Sequence, residues 1–350
     1  MFEFTTTRHN PLVDPQLAVW SWEIPVYLFL GGLVAGLMVL AGFAMLRATR
    51  GGDSRSHFSV QAPLLGFVLI NLGMLALLLD LTHKLYVWRV YLTLQVGSPM
   101  SWGSWLLIVV YAVLLLSALI RLPEAWPWLA QRVPVLQRAS DALLARPTRI
   151  ASLGWANIVL GAGLGLYTGL LLNTMVARPL WNSAILPLLF LVSGLSAGAA
   201  VLHLAAMLRG ERAAPPGALG GAATALVQRL GETWPDRRAG DSLRRTDMAF
   251  MAAELALIAL LLLNLATSSA SHAAAAALLA SGPYALAFWV VVIGLGLLVP
   301  LSLQALELGH RIAHTVLPAC LVLVGGFALR WVIVGAGQAS HVLSVSSFVP

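Results

Sequence analysis

The sequence predicts an all-α integral membrane protein of eight transmembrane helices, arranged as two parallel four-helix bundles with both termini on the outer, periplasmic side. Three observations carry this. The chain is 59% hydrophobic and 10% charged, whereas soluble domains average about 25% charged residues. Eight apolar runs each reach the roughly 20 residues needed to cross a bilayer. Sixteen Lys and Arg residues fall in or beside the odd-numbered loops, against four in the leader and the even-numbered loops. Positive charge gathers on the cytoplasmic side of membrane proteins, so the odd loops face inward.

In order, span 1 (24–46) follows a polar leader containing HNPLVDP, which lacks the basic n-region of a cleaved signal peptide. Span 2 (61–82) ends in Asp80-Leu-Thr-His83-Lys84. If the helix continues, those three ionisable residues share one face at i, i+3 and i+4. Span 3 (102–120) opens from SPMSWGSW, Ser98–Trp105, and span 4 (150–174) carries Tyr167 and Asn173. Span 5 (183–208) is followed by span 6 (248–268), with Glu254 about two turns inside its inner end. Span 7 (284–306) closes near Gln304 and Glu307, and span 8 (313–336) holds Arg330. Loops 3 and 5 are the only long ones, and VLQRASDALL and ALGGAATALVQRL within them predict short interfacial helices.

LFLGGLVAG (Leu28–Gly36) in span 1 is echoed by LFLVSGLSAG (Leu189–Gly198) in span 5. Spans four apart run in the same direction, so the echo suggests parallel halves, residues 1–178 and 179–350. The small-residue pairs Gly32/Gly36, Gly165/Gly169 and Gly194/Gly198 suit close helix approach within each half. Trp20, Trp22, Trp88, Trp102 and Trp181 lie near outer span ends, where an aromatic belt is expected.

Composition also excludes. A pI near 10.3 could suggest nucleic acid, but the basic residues sit in short loops and read as topology signals and contacts to anionic membrane lipids. Cys320 is the only cysteine. It supports neither an iron–sulfur cluster, which needs about four thiolates, nor an internal disulfide. A b-type haem between helices wants two histidines at matched depth; His203, His310 and His314 all lie near inner span ends. No haem, iron–sulfur cluster or metal is expected in this chain.

The polar residues converge in depth. Glu23 and Tyr27 begin span 1 at the outer side, Asp80 and His83 end span 2 there, Ser104 and Trp105 begin span 3, and Tyr167 and Asn173 lie in the outer half of span 4. Four consecutive spans thus bring proton-exchanging and hydrogen-bonding groups to one level, which points to proton-coupled chemistry at the membrane rim. Each also has a plainer account: a helix-terminal acid for Glu23, pairing of Asp80 and His83 with Lys84 and Arg89, and belt positions for the tyrosines. In the second half Glu254, Glu307 and Arg330 could form an inward proton route or a polar lock between helices.

YLFLGGLVAG, SPMSWGSW, YTGLLLN followed by RPLWN, and GGFALRWVIVGAGQ together resemble the polysulfide reductase membrane-subunit family, NrfD/PsrC, over essentially the whole chain. That resemblance implies a haem-free subunit that binds a quinone such as menaquinone in its first four-helix half. It also implies a ferredoxin-like iron–sulfur partner, relaying electrons to or from a molybdopterin or other catalytic subunit, in the inner membrane. The family's pocket tyrosine matches Tyr167, its span-1 histidine falls at Tyr27, and its Asp-Leu-Gly-Arg-Pro ending to span 2 reads Asp80-Leu-Thr-His83-Lys84 here. On this reading Tyr167 and Tyr27 hydrogen-bond the quinone, Ser104, Trp105 and Asn173 line its site, and Asp80, His83 and Glu23 exchange protons. The alternatives are a secondary transporter, for which no pair of Gly/Pro-broken spans meets at mid-membrane, and a membrane anchor without a quinone site.

Overall fold

Eight helices of the computed structural model are long and apolar enough to span a membrane. The structure describes residues 20–51, 57–126, 131–210, 237–309 and 315–342. The span helices are Glu23–Thr49, His57–Asp80, Pro99–Ala125, Pro147–Asn173, Ile185–Gly210, Arg237–Ser268, Ala287–Leu308 and Leu317–Ala339, numbered spans 1 to 8. No strand occurs among the described residues. Proline marks the beginnings of spans 3, 4 and 8, where its missing N–H costs no hydrogen bond.

Three features depart from the sequence expectation. Span 6 starts well before Met248, so the polar stretch from Asp241 to Asp247 is helical. SHAAAAALLA, too short to cross a bilayer, forms the helix Ala270–Ala280, capped by Ser269, whose side chain accepts from His272 N–H. The first twelve residues of span 7, Ala287–Leu298, wind as a wide π-type helix before reverting to α at Val299. Pro300, just beyond, has no N–H to offer the preceding turn. Of the two expected interfacial helices, one forms at Pro134–Leu144; the other, at 218–230, lies outside the described residues.

Span 1 is the axis of the packing. It touches spans 2, 4, 5 and 8, while span 3 closes against spans 2 and 4. Span 5 packs on spans 6 and 8, and span 7 on span 8. The small-residue pairs act elsewhere than expected. A Cβ on Gly36 would overlap the backbone of Gly194, one on Gly194 would overlap Gly32, and one on Gly198 would press on Gly36. Gly169 likewise abuts Pro187 of span 5, and Gly165 abuts Leu191. These glycines therefore join spans 1 and 4 to span 5 rather than closing each half on itself. The two echoed segments, Leu28–Gly36 and Leu189–Gly198, face each other backbone to backbone. Lipid tails are as apolar as Leu, so helices in a membrane gain mainly from such close van der Waals approach.

One end of the bundle is clasped. Trp20 N–H donates to Gln338 Oε1 at 2.9 Å, and Gln338 Nε2 donates back to Trp20 O at 3.0 Å. Trp20 stacks on Trp181 at 5.1 Å, and Trp181 Nε1 donates to Ile333 O at 2.8 Å. Arg178 Nη1 lies 2.7 Å from both Gln338 O and Ser340 O. Trp181 is buried, so it is a packing element of this clasp and not a belt residue. Trp22, Trp88 and Trp102 are exposed.

Gly194→Leu is expected to destabilise the detergent-solubilised protein by about 1–3 kcal/mol or more. Gly163→Ala, where the nearest atom to a new Cβ is Leu106 Cδ1 at 3.9 Å, should leave the thermal midpoint unchanged. Equal midpoints for the two variants would contradict the glycine seam.

Candidate functional site

At the clasped end a cavity of about 150 Å³ opens among spans 1 to 4. Its walls are mostly aliphatic, among them Leu28, Leu77, Leu107 and Leu172, and its polar groups are Tyr27, Asp80, Tyr91, Ser104 and Tyr167. The segment between spans 2 and 3 covers it. After Asp80 the α-helix stops, and the chain makes a tight turn at Lys84–Tyr86 and a short helix at Trp88–Leu92.

SPMSWGSW holds this cover in place. Ser101 Oγ accepts from Gln95 N–H at 3.0 Å and lies 3.2 Å from Thr93 O. Trp102 Nε1 donates to Val96 O at 2.6 Å. Ser104 Oγ, with one proton to give, lies 3.1 Å from Val90 O and 2.8 Å from Ser101 O. Gly103 makes the room: a Cβ there would overlap the Tyr167 phenol ring and hydroxyl. The motif fastens the strap bearing Tyr91 and lets Tyr167 reach across span 3.

Tyr27 and Tyr167 are both buried, and they share the cavity wall with Tyr91. Tyr91 lies outside the spans, and burial pushes its phenol above the ordinary tyrosine range, so it remains a hydrogen-bond donor at neutral pH. Asp80 is half-buried on the cavity wall. Glu23, in the first turn of span 1, has its Oε2 buried without a hydrogen-bond partner among the described residues.

The structure separates other expected members from this group. His83 does not share a helical face with Asp80, because the helix ends at Asp80; it is exposed and meets the edge of Tyr86 instead. Trp105 is 40% exposed and is not among the residues that line the cavity. Asn173 is half-buried off the cavity wall. Ser104 does line the cavity, but its proton is directed to backbone carbonyls of the strap. Sequence reasoning misses Tyr91 and Gly103. Gly103 sits inside the motif the sequence singles out, but the ring it accommodates belongs to another helix.

A second polar system runs through spans 5 to 8. Arg330, fully buried, donates through Nη1 to Ser193 Oγ and Gly326 O, and through Nη2 to Phe190 O at 3.0 Å. Its guanidinium also lies over the Phe190 ring at 5.0 Å. A Cβ on Gly32 would come within 3.1 Å of Arg330 Nη2, so the same glycine serves the seam and this arginine. Glu254 is also buried and lies beside Ser193. Farther along, Asp247 accepts from Ser196 Oγ and from Gln304 Nε2, each at 2.7 Å. At the far end Arg244 Nε lies 3.6 Å from Glu307, which also accepts from Thr315 N–H at 2.9 Å. Glu254, Glu307 and Arg330 therefore belong to one file of polar groups. Asp247 and Arg244 join it, at spacings of three and seven residues along one face of span 6. No cluster of His, Cys, Asp and Glu suited to a metal occurs among the described residues.

The sequence matches the family described as Polysulphide reductase, NrfD, over residues 10–219 and 217–341. It is 32% identical over 331 residues to one of the polysulfide reductase chains of Wolinella succinogenes, covering 91% of this protein and 94% of that one. It is 30% identical over 329 residues to protein NrfD of Escherichia coli, covering 91% and 95%. A shorter match, 26% over 208 residues, links it to one of the selenate reductase subunits of Mesobacillus selenatarsenatis, covering 52% of this protein and 46% of that one.

Arg330→Gln is expected to destabilise the protein by about 1–3 kcal/mol, because it strands the buried acceptors Ser193 Oγ, Gly326 O and Phe190 O. Glu254→Gln, which keeps a hydrogen-bonding group for Ser193, should cost less. Thermal unfolding in detergent checks both; a larger loss for Glu254→Gln would contradict the arrangement.

Proposed function

This chain belongs to the NrfD polysulphide reductase family, and on that premise we propose that it is the quinone-binding membrane subunit of a respiratory oxidoreductase. The observation that carries the reading is the cavity of spans 1 to 4, where two buried tyrosines and a carboxylate meet aliphatic walls. At about 150 Å³ it is smaller than the ~300 Å³ of a typical ligand site. It therefore suits one ring, with the isoprenoid tail leaving between helices. A bound quinone takes up two electrons and two protons on reduction and returns them on oxidation.

In this account Tyr167, held across span 3 by the absence of a Cβ at Gly103, donates a hydrogen bond to a quinone oxygen. Tyr27 and Tyr91 supply the remaining donors. Asp80 passes protons between the ring and outer water with Glu23 beside it. His83 stays on the exposed rim, against Tyr86 rather than the ring. Leu85, Leu92 and Val96 on the strap are 88%, 74% and 72% exposed. This uncovered apolar surface over the cavity supports docking there of an iron–sulfur partner, through which electrons pass to a catalytic subunit. The arginine asymmetry supports placing the clasped end on the periplasmic side of the inner membrane, with two parallel four-helix halves meeting at spans 1 and 5.

The polar file supports a second role for spans 5 to 8: an inward route by which Glu307, Asp247 and Glu254 carry protons toward Arg330, coupling turnover to translocation.

In the assembled complex, Asp80→Asn is expected to lower quinol turnover by about 10²-fold. Tyr167→Phe should weaken quinone-site inhibitors by up to about tenfold, and His83→Ala should leave both unchanged. A large loss in His83→Ala with Asp80→Asn intact would reject the assignment. Complex reconstituted in proteoliposomes should build a membrane potential during turnover; turnover without potential or pH change would reject translocation.

A further inference from the structure

A second cavity, of about 400 Å³, lies at the other end of the first four spans, away from the proposed quinone site. Met45 of span 1, Ile120 of span 3 and Ala156 of span 4 contribute apolar walls. The helix Pro134–Leu144 closes it, fastened by Ser140 Oγ donating to Ile120 O at 2.6 Å and by Arg149 Nη1 donating to Ala142 O at 3.0 Å. That helix turns Leu143 and Leu144 toward the cavity, while Gln137, Arg138 and Asp141 are exposed.

Two guanidiniums and the hydroxyls of Thr148 and Ser152 line this mostly aliphatic space. Arg121 is only 1% exposed and pairs with Glu124 at 2.9 Å, while Arg149 is exposed at the rim. Arg132, Arg138 and Arg146 stand exposed nearby on the same loop, opposed by Glu124 and Asp141. A neutral ring would satisfy the walls but gain nothing from this charge. An acyl chain with an anionic head satisfies both, since each arginine near a membrane surface contributes about fivefold to binding of acidic lipid.

We propose that this cavity is a specific site for an anionic phospholipid. The phosphodiester sits against Arg149 and Arg121, and one acyl chain runs along Met45, Ile120 and Ala156. The proposal is independent of the quinone reading, because the two cavities lie at opposite ends of spans 1 to 4.

The test uses the delipidated full-length protein in detergent, with thermal shift and native mass spectrometry as readouts. The probes are dioleoylphosphatidylglycerol, dioleoylphosphatidylcholine, inorganic phosphate and a short-chain quinone. Phosphatidylglycerol is expected to bind and stabilise, with phosphatidylcholine at least about fivefold weaker and millimolar phosphate without effect. Arg149→Ala should weaken phosphatidylglycerol about fivefold. Ala156→Phe should abolish its binding by filling the cavity, with Ser152→Phe, at an exposed lining position, as the substitute should Ala156→Phe fail to fold. Equal binding of the two lipids, stabilisation by phosphate alone, or displacement of the lipid by the quinone would each overturn the proposal. So would unchanged lipid binding in a folded cavity-filling variant.

Discussion

The backbone contact between spans 1 and 5, at Gly32 and Gly36 against Gly194 and Gly198, is the constraint on which the rest of the molecule rests. No side chain can occupy that seam, so span 1 is held at fixed depth and rotation between the two sets of helices. Its other faces are thereby committed. One carries Glu23, Tyr27 and Leu28 to the cavity of the first four spans. Gly32, in the seam itself, also leaves room for Arg330, whose head could not otherwise approach so closely.

The same reasoning, in which a missing Cβ positions a functional group, recurs at Gly103. There it frees space for the Tyr167 phenol in a helix that would otherwise exclude it. The serines and tryptophan of the surrounding motif spend their hydrogen bonds on the strap between spans 2 and 3. The segment between spans 2 and 3 becomes a fixed cover that adds Tyr91 to the cavity wall. The motif thus acts on the cavity through backbone placement more than through direct contact. That is why Ser104 lines the wall while its proton serves a carbonyl of the strap.

Much of this is legible in the sequence. Runs of about 20 apolar residues announce spans whatever their partners, and depth along each run brings Tyr27, Asp80 and Tyr167 to one level without a structure. What fails is whatever depends on the path of short segments or on a neighbour's identity. Periodicity carried past Asp80 puts His83 on the same face, but the helix stops there and the histidine turns outward. Glycine spacing announces close packing without saying which helix will be met, so it points to a seam within halves where the contact runs between them. Asp247 escapes notice when the start of span 6 is set at the first continuous apolar residue. A helix whose polar turns face other helices has no reason to begin there. The Ala-rich segment before span 7 is too short to cross a membrane, and a search for spans passes over it although it is helical.

The central claim is that the quinone ring occupies the cavity bounded by Tyr167, Gly103 and Asp80. A photoreactive quinone, crosslinked in the assembled complex and mapped by peptide mass spectrometry, tests it most directly. The account predicts labelling confined to 20–28, 74–81, 87–91, 100–107 and 164–172, abolished by excess unmodified quinone. Competable labelling confined to spans 5 to 8, or to the opposite end of spans 1 to 4, would contradict it.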